Sequence, residues 1–175
     1  MQLRQAGRWI GFTLLFSAIV HVGTVWLIPQ MTMRGVLERT GDAAGYNRLV
    51  HMPLASAESR IFPRPAPAVA TSFCAYDLLN GPVRVSIPPT AATVSINGYS
   101  DRTDNFLSVS GSAANNGWQG VLTFSGTGDG QNAIVAPDRK GVIMVRRLMR
   151  AGDDRDAMVQ ERAAMVCEPT REASR

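Results

Sequence analysis

Four residues in one short segment are of the types that acid–base chemistry or cation binding uses. They are Tyr99, Asp101, Asp104 and Asn105, and the two aspartates flank Arg102. Carboxylates at this spacing can transfer protons or coordinate a hard cation. The alternative is a solvated turn, in which short polar side chains hydrogen-bond to the neighbouring backbone. We therefore regard these residues as a candidate pocket or loop.

The two cysteines, Cys74 and Cys167, lie far apart in the sequence, and His51 is remote from both. This spacing predicts no metal site, and no histidine or aspartate is positioned by the sequence to activate a thiolate. Three alternatives remain, namely a disulfide, two buried free thiols and a catalytic cysteine. A disulfide would require an oxidising compartment. The sequence thus indicates no catalytic constellation, no metal and no cofactor.

The run Gly126-Thr-Gly-Asp-Gly has the glycines of a phosphate-binding loop. Such a loop follows a strand and opens a helix, so that the phosphate meets the helix N-terminus. Here the strand-like run Ala133-Ile-Val-Ala follows instead. The pattern therefore favours a hairpin loop.

A basic cluster lies at the end of the last predicted strand of the sheet region, at Arg146, Arg147 and Arg150. Together with Arg139 and Lys140, it would suit anionic lipid or an acidic partner. The alternative is a solvated edge strand whose charges prevent pairing with other chains.

Residues 9–28 carry no formally charged side chain. About 20 apolar residues span a hydrocarbon core of about 30 Å. Arg4 and Arg8 precede this segment, and positive charge is retained on the cytoplasmic side of a membrane. We expect an uncleaved signal anchor of the bacterial inner membrane, with residues 1–8 cytoplasmic and the C-terminal domain periplasmic. The alternatives are a buried soluble helix and a cleaved signal peptide, whose apolar region is about 7–15 residues long.

Polar residues recur on one face of this apolar segment, at Thr13, Ser17, His21 and Thr24. Polar groups in lipid tend to face another helix, because no water is available to them. The stripe is therefore a candidate contact for a partner helix. The alternative is that the hydroxyls bond to the backbone of their own helix.

The 175 residues are about one domain's worth of sequence. The formal net charge is +4. This small, dispersed excess argues against nucleic-acid binding. The composition includes 16 glycines, 10 prolines and 18% charged residues. It is typical of a loop-rich β domain rather than a helical bundle.

The region after the connector alternates between apolar and polar residues with the period of two that half-buried strands show. It predicts seven strands: Val69–Tyr76, Val83–Ile87, Thr93–Tyr99, Phe106–Ser110, Gly120–Phe124, Asn132–Ala136 and Gly141–Leu148. Turn residues punctuate them, including Pro88-Pro89 and Asn115-Asn116-Gly117.

A helix is expected at Ala157–Val166, beginning after Asp153 and Asp154 and stopped by Pro169. The predicted fold class is mainly β, an antiparallel β-sandwich-like domain with an N-terminal transmembrane helix and a short C-terminal helix.

The expected organisation is a cytoplasmic N-terminus (1–8), a transmembrane segment (9–28), a connector (29–67), a β-rich extracytoplasmic domain (68–169) and a flexible tail (170–175). Within the connector, Met31–Thr40 is predicted as a short amphipathic helix that Gly41 and Asp42 end. Its last prolines, Pro63, Pro65 and Pro67, predict an extended stretch.

Several segments between Tyr46 and Pro169 follow one order. They are Gly45-Tyr-Asn-Arg-Leu-Val-His-Met-Pro, Cys74-Ala-Tyr-Asp-Leu-Leu-Asn-Gly-Pro-Val, Ile96-Asn-Gly-Tyr-Ser-Asp-Arg-Thr-Asp-Asn-Phe, Gly128-Asp-Gly-Gln-Asn-Ala-Ile-Val-Ala-Pro and the run Gly141 to Arg150. In this order the chain resembles a short, membrane-anchored version of the bacterial domain of unknown function numbered 1254. The resemblance implies a β-rich, sandwich-like domain.

Long members of that family carry a companion domain, numbered 1214, on the same chain. The resemblance implies that here the companion is supplied by another small membrane protein. Long members also have an Asn-Asp-x-x-Tyr stretch where this chain has Pro65-Ala-Pro-Ala-Val-Ala. An activity that depends on those polar groups is not expected here.

Three functions fit these observations. The first is a membrane-anchored binding or assembly module of the cell envelope that acts with another membrane protein. The second is an envelope enzyme or small-ligand carrier with a pocket in the β domain. The third is a pilin-like structural subunit, since Gly11-Phe-Thr-Leu-Leu-Phe resembles a prepilin junction. The position where pilins usually have an acid is occupied by Phe16, and Pro29 argues against a long helical stem.

Overall fold

The computed structural model of the chain describes residues 2–56, 66–111, 118–127 and 133–170. Its elements, in chain order, are α1 (Gln2–Ala44), β1 (Leu49–His51), β2 (Val69–Asp77), β3 (Val83–Thr90), β4 (Val94–Ser100), β5 (Asn105–Gly111), β6 (Trp118–Ser125), β7 (Ala133–Val135), β8 (Lys140–Leu148), α2 (Arg155–Ala163) and β9 (Val166–Pro169). A short 3-10 turn, Leu78–Asn80, follows β2. The predicted turn at 115–117 lies outside the described residues, as do Pro63, Pro65 and most of the predicted tail.

The strands form two sheets. Sheet A has the order β1-β2-β8-β4-β5, and sheet B has the order β7-β6-β3-β9. All described pairs are antiparallel except β6 with β7, which run parallel. The predicted mainly β, sandwich-like class is therefore confirmed. The hairpin expected between β6 and β7 is wrong, because a hairpin joins antiparallel strands.

Alternating side chains fill the space between the two sheets. In β3, Val83, Val85 and Ile87 are buried while Arg84 is exposed, and in β4 Val94 and Ile96 are buried. They pack with the aromatic ring of Phe124 in one continuous core. The period of two in the sequence thus identifies the core face of both strands.

The sequence predicts a turn at Pro88 and Pro89, but both lie inside β3. The pairing with β6 is irregular between Ile87 and Thr90. Proline has no backbone N–H to donate, so the ladder is interrupted where the two prolines stand. The strand then resumes at Thr90, which pairs with Trp118.

The C-terminal segment differs from the helix expected at Ala157–Val166. Helix α2 begins earlier, where the Asp154 carboxylate accepts hydrogen bonds from the backbone N–H groups of Asp156 and Ala157. It ends at Ala163, and Val166 already pairs with Ser86 as part of β9. Val166, the last residue of the expected helix, thus belongs with Cys167, Glu168 and Pro169 to a strand that completes sheet B, because the edge of β3 supplies backbone partners.

A disulfide joins Cys74 and Cys167, whose Cα atoms are 6.4 Å apart. Of the three alternatives for the cysteines, this is the one that the structure contains. Cys74 belongs to β2 of sheet A and Cys167 to β9 of sheet B, so the bond ties the two sheets together. Both residues lie in the core between the sheets.

The arginine cluster on β8 is not on a solvated edge, because β8 is the middle strand of sheet A. Arg147 is only 8% exposed. Its guanidinium donates to Asp153 at 2.9 Å and to Glu161 at 3.1 Å. The last long strand in the sequence is thus central in space, and its buried arginine connects the sheet to α2.

Helix α1 continues through Pro29 to Ala44, well beyond the predicted transmembrane segment. The prediction of a helix after the apolar segment is confirmed, but Gly41 and Asp42 lie within α1 rather than ending it. A proline inside a helix removes one backbone hydrogen bond, and membrane helices tolerate this loss. The objection to a pilin-like stem that rested on Pro29 is therefore wrong, whereas the objection from Phe16 is unaffected.

We expect loss of the disulfide to lower stability substantially. Replacing both Cys74 and Cys167 by alanine should lower the free energy of unfolding by about 2–5 kcal/mol, because the unfolded chain is no longer cross-linked over a long loop. Thermal unfolding of the full chain in detergent, followed by near-ultraviolet circular dichroism, measures this change. A reductant should destabilise the wild type and leave the double variant unaffected. Equal unfolding of the oxidised and reduced wild type would contradict the expectation.

Candidate functional site

The C-terminal part of α1 packs against the β domain. Met33 and Leu37 of α1 are each only 6% exposed, and they pack against Ala75 and Val142 of sheet A. The partly buried Tyr99 belongs to the same apolar cluster. Sheet A is thus covered by sheet B on one face and, in part, by α1 on the other.

The end of α1 is fixed to β2 by Asn47. Its side-chain amide donates to the Asp77 carbonyl at 2.9 Å, and its side-chain oxygen accepts from the Asp77 backbone N–H at 2.8 Å. The Asn47 backbone N–H also donates to the Ala75 carbonyl. Asn47 has φ of 60°, and asparagine is one of the few residues that adopts this conformation readily. The helix therefore reaches the sheet through a short, well-bonded corner.

A cleft of about 320 Å³ opens between α1 and the end of sheet A at which β4 ends and β8 begins. Its walls are formed by Gln30, Arg34 and Leu37 of α1, by Asp101 and Arg102 of the β4–β5 turn, and by Lys140 at the start of β8. We call this space the stalk cleft. It combines cationic and anionic side chains from three separate parts of the chain, and it lies at the low end of the size range of ligand pockets.

Asp101 is the anionic residue of the stalk cleft. Partial burial and the neighbouring charge of Asp138, which also shares a side-chain hydrogen bond with Asp101, raise the pKa of Asp101 above its usual value. The positive charges of Arg102 and Arg34 oppose this shift without cancelling it. The negative charge of Asp138 thus disfavours ionisation of Asp101.

The four residues singled out from the sequence do not converge on one point. Asp101 lines the stalk cleft and Tyr99 packs towards α1, whereas Asp104 and Asn105 are exposed. The Ser100 hydroxyl accepts hydrogen bonds from the backbone N–H groups of Arg102 and Asp104. This is the local hydrogen-bonded turn that the sequence left open as an alternative. Asp138, which the sequence did not single out, is the neighbouring carboxyl whose charge acts on Asp101.

Lys140 is positioned by a second anion. Its ammonium lies 3.3 Å from the Asp77 carboxylate and 4.3 Å from the centre of the Tyr46 ring. The same carboxylate lies 3.4 Å from Arg139. Asp77 also accepts from the Leu79 backbone N–H, which begins the 3-10 turn. Because Asp77 is shared by two cations, Lys140 retains capacity for a further anionic partner.

Tyr76 lies beneath this region with its side chain fully buried. Its hydroxyl has no hydrogen-bond partner among the described residues. Burial, and then the charges of Asp138 and Asp101, raise its pKa far above the usual value, so Tyr76 remains a neutral phenol. Gly141 on the neighbouring strand leaves room for it, since a Cβ there would collide with the hydroxyl.

A second polar cluster lies between β2 and α2. The buried Arg162 donates to the Met52 and Thr71 carbonyls at 2.9 and 2.7 Å and to the Ser72 hydroxyl at 3.3 Å. His51 lies 2.9 Å from the same hydroxyl, and burial together with the charge of Arg162 lowers its pKa. Ser72 is only 2% exposed. This serine–histidine pair is therefore a packed structural contact and not an accessible nucleophile.

Sequence reasoning missed the Arg162 cluster, because one arginine on a short amphipathic helix carries no local signal of burial. No group of three or more histidine, cysteine, aspartate or glutamate side chains suited to a metal ion occurs in the part of the chain that the structure describes.

The family model described as "Protein of unknown function (DUF1254)" matches residues 46–169. The chain belongs to the DUF1254 family. The match begins at Tyr46 and ends at Pro169, the bounds between which the sequence resembles the family. It therefore includes the whole β region but not α1, which supplies one wall of the stalk cleft.

Two solved structures have similar folds. The VPA0106 protein from Vibrio parahaemolyticus is 12% identical, with a TM-score of 0.58 over 83% of this chain and 36% of its own length. A putative uncharacterized protein from Burkholderia cenocepacia is 14% identical, with a TM-score of 0.50 over 89% of this chain and 43% of its own. This DUF1254 chain thus spans less than half of either protein. No curated protein matches it.

We expect replacement of Asp101 by asparagine to stabilise the protein at neutral pH. A carboxyl whose pKa is raised by folding favours the folded state below its usual pKa, and this contribution is lost as the pH rises through the folded pKa. A neutral amide at this position would avoid that loss. The gain should stay below about 1 kcal/mol, because half of the side chain is in solvent.

Thermal unfolding of both proteins from acidic to neutral pH tests this expectation. The difference in melting temperature should be greatest near neutral pH and should shrink towards pH 3.8, the ordinary pKa of an aspartate. The matched control is Asp104→Asn in the same turn, which should show no such trend. A stability difference independent of pH would rule out the Asp101–Asp138 interaction as its cause.

Proposed function

We propose that this DUF1254 protein is a membrane-anchored binding or assembly module of the bacterial cell envelope. Helix α1 would cross the inner membrane once, and the β domain would act on the periplasmic side. Its partners would be the lipid bilayer and a second small membrane protein, such as one that carries the companion domain numbered 1214. The part of α1 that follows the apolar segment would hold the β domain at a fixed distance from the bilayer.

The observation that carries this proposal is the continuity of α1. One 43-residue helix contains both an apolar segment, none of which is buried within the chain, and the buried Met33 and Leu37 that pack on sheet A. The side chains from Trp9 to Ile28 are thus free to contact lipid. Because no flexible linker separates the two parts, insertion of the first would determine the position of the second.

Two features support the proposed orientation. Arg4 and Arg8 precede the apolar segment, as expected of a cytoplasmic N-terminus. The Cys74–Cys167 disulfide belongs to the other end of the chain, and disulfides persist in oxidising compartments such as the periplasm.

The polar face of α1 provides a candidate contact for the partner helix. Thr13, Ser17 and His21 are exposed on the described helix. The Thr24 hydroxyl donates to the His21 carbonyl at 2.8 Å, so Thr24 is satisfied within α1 itself. We therefore assign the partner contact to the first three residues.

Membrane fractionation tests the anchor. The chain should remain in the membrane after an alkaline carbonate wash, and a C-terminal alkaline phosphatase fusion should be active because that enzyme needs the oxidising periplasm. Changing both Arg4 and Arg8 to glutamate should lower the fusion's activity several-fold, whereas Arg39→Gln, beyond the apolar segment, should not. A mature N-terminus after residue 28 would show that the segment is cleaved and would overturn the anchor.

Co-purification in mild detergent tests the partner. A tagged full chain should retain a stoichiometric second membrane protein, identified by mass spectrometry. Replacing Thr13, Ser17 and His21 by leucine should reduce its recovery several-fold, since interhelical hydrogen bonds are lost. Thr24→Val should have little effect because its hydroxyl bonds within α1. A monomeric wild-type chain without a companion would contradict the assembly role.

A second candidate function is a small-ligand carrier. A cavity of about 590 Å³ opens at one end of the sandwich, between the turn after β2, the end of β6 and the segment before β8. Ser125 and Thr127 contribute hydroxyls to it, and Leu78 and Pro82 contribute apolar surface. This cavity is the observation that favours small-ligand binding. The exposed Asp104 in the β4–β5 turn does not support it.

A further inference from the structure

The stalk cleft lies next to the point where α1 would leave the membrane. Gln30 and Arg34 follow Ile28 by two and six positions, which correspond to about 3 and 9 Å along a helix. The interfacial layer of a bilayer extends roughly 5–7 Å beyond the hydrocarbon on each side. Helical side chains also point back towards the N-terminus, here towards the bilayer. With α1 inserted as proposed, the cleft therefore opens at the level of the lipid headgroups.

The cleft presents separated charges of both signs. Arg34 forms no ion pair within 4 Å with any residue of the described ranges, and the charge of Lys140 is only partly balanced by the shared Asp77. Arg102 makes a single exposed contact of 3.9 Å with Asp101. These three cations come from α1, the β4–β5 turn and β8, so they border the same space from different sides.

Asp101 provides a position for a cation in the same cleft. Asp101 is the acidic residue among those that line the cleft, and the negative charge of Asp138, which lines the separate cavity at the end of the sandwich, opposes its ionisation. A bound ammonium would relieve this repulsion, because it supplies several N–H donors and a positive charge. The cleft thus has positions for a phosphate and for an amine within one volume of about 320 Å³.

We propose that the stalk cleft binds the headgroup of a zwitterionic phospholipid that carries a primary amine, with the phosphate at Arg34 and Lys140 and the ammonium at Asp101. Arg102 is exposed and lines the same cleft. The proposal rests on the membrane insertion of α1 given above. It adds a specific lipid to the anchor, so that the bilayer both holds the β domain and occupies a site in it.

Lipid retention by the full chain distinguishes the possible sources of the phosphate. The detergent-solubilised protein is titrated with phosphatidylethanolamine, phosphatidylcholine or phosphatidylglycerol of the same acyl chains, and bound lipid is counted by native mass spectrometry. Phosphatidylcholine cannot donate N–H hydrogen bonds, and phosphatidylglycerol has no amine. We expect retention of phosphatidylethanolamine to be about tenfold greater, the effect of one charge-assisted hydrogen bond. Glycerophosphoethanolamine without acyl chains should compete only weakly.

Variants locate the site. Asp101→Asn should reduce the retention of phosphatidylethanolamine to that of phosphatidylcholine, and Arg34→Gln should reduce the retention of all three lipids. The matched controls are Asp104→Asn in the same turn and Arg39→Gln on the same helix, which should behave as wild type. Thermal unfolding of each variant confirms that the domain is folded.

Equal retention of the three lipids by the wild type would overturn the proposal, as would an Asp101→Asn variant with unchanged preference. Strong competition by free glycerophosphoethanolamine would assign the cleft to a soluble phosphate ester and would also overturn the lipid assignment. These outcomes are separable from failure of the anchor. A chain removed from membranes by carbonate fails the proposed function, whereas a chain that stays inserted without lipid preference fails this inference alone.

Discussion

The packing of α1 on sheet A is the contact from which the arrangement of this molecule follows. Met33 and Leu37 are buried against Ala75 and Val142, and these small and β-branched partners let the helix approach the sheet closely. Burial of side chains of this size contributes about 1.5–3 kcal/mol each. The contact covers part of one face of sheet A, and it also directs the remaining length of α1 away from the domain.

Hydrogen bonds and ion pairs around this contact fix the position of the end of α1 on sheet A. Asn47 satisfies the backbone of Asp77 on both sides, and the Asp77 carboxylate in turn holds Lys140 beside the Tyr46 ring. These bonds place the end of α1, the 3-10 turn and the start of β8 in a fixed relation. The stalk cleft is the space that remains beside them. Lys140 belongs both to this network and to the charged walls of the cleft.

The sequence predicts most strands, because alternation of apolar and polar residues records which side faces a core. It fails where the partner strand decides the outcome. Val166 reads as the last residue of a helix, yet the free edge of β3 and the bond from Cys167 to Cys74 make Val166–Pro169 a strand. Likewise, Arg147 reads as a charge on an edge strand. The order of strands in sheet A shows instead that it is buried and paired with Asp153 and Glu161.

Composition and local pattern are enough to identify the apolar segment at residues 9–28 and the β-rich character of the domain, and the order of several short segments resembles the DUF1254 family, to which the family model assigns the chain. They also identify Asp101 as a residue of the type that acid–base chemistry or cation binding uses. That Asp101 lines one cleft with Arg34, while Asp104 and Asn105 do not line it, becomes known from the folded chain. The reason is that a cleft is formed by elements distant in the chain, and the hydrophobic and hydrogen-bonding contacts that bring them together have no signature in any one segment.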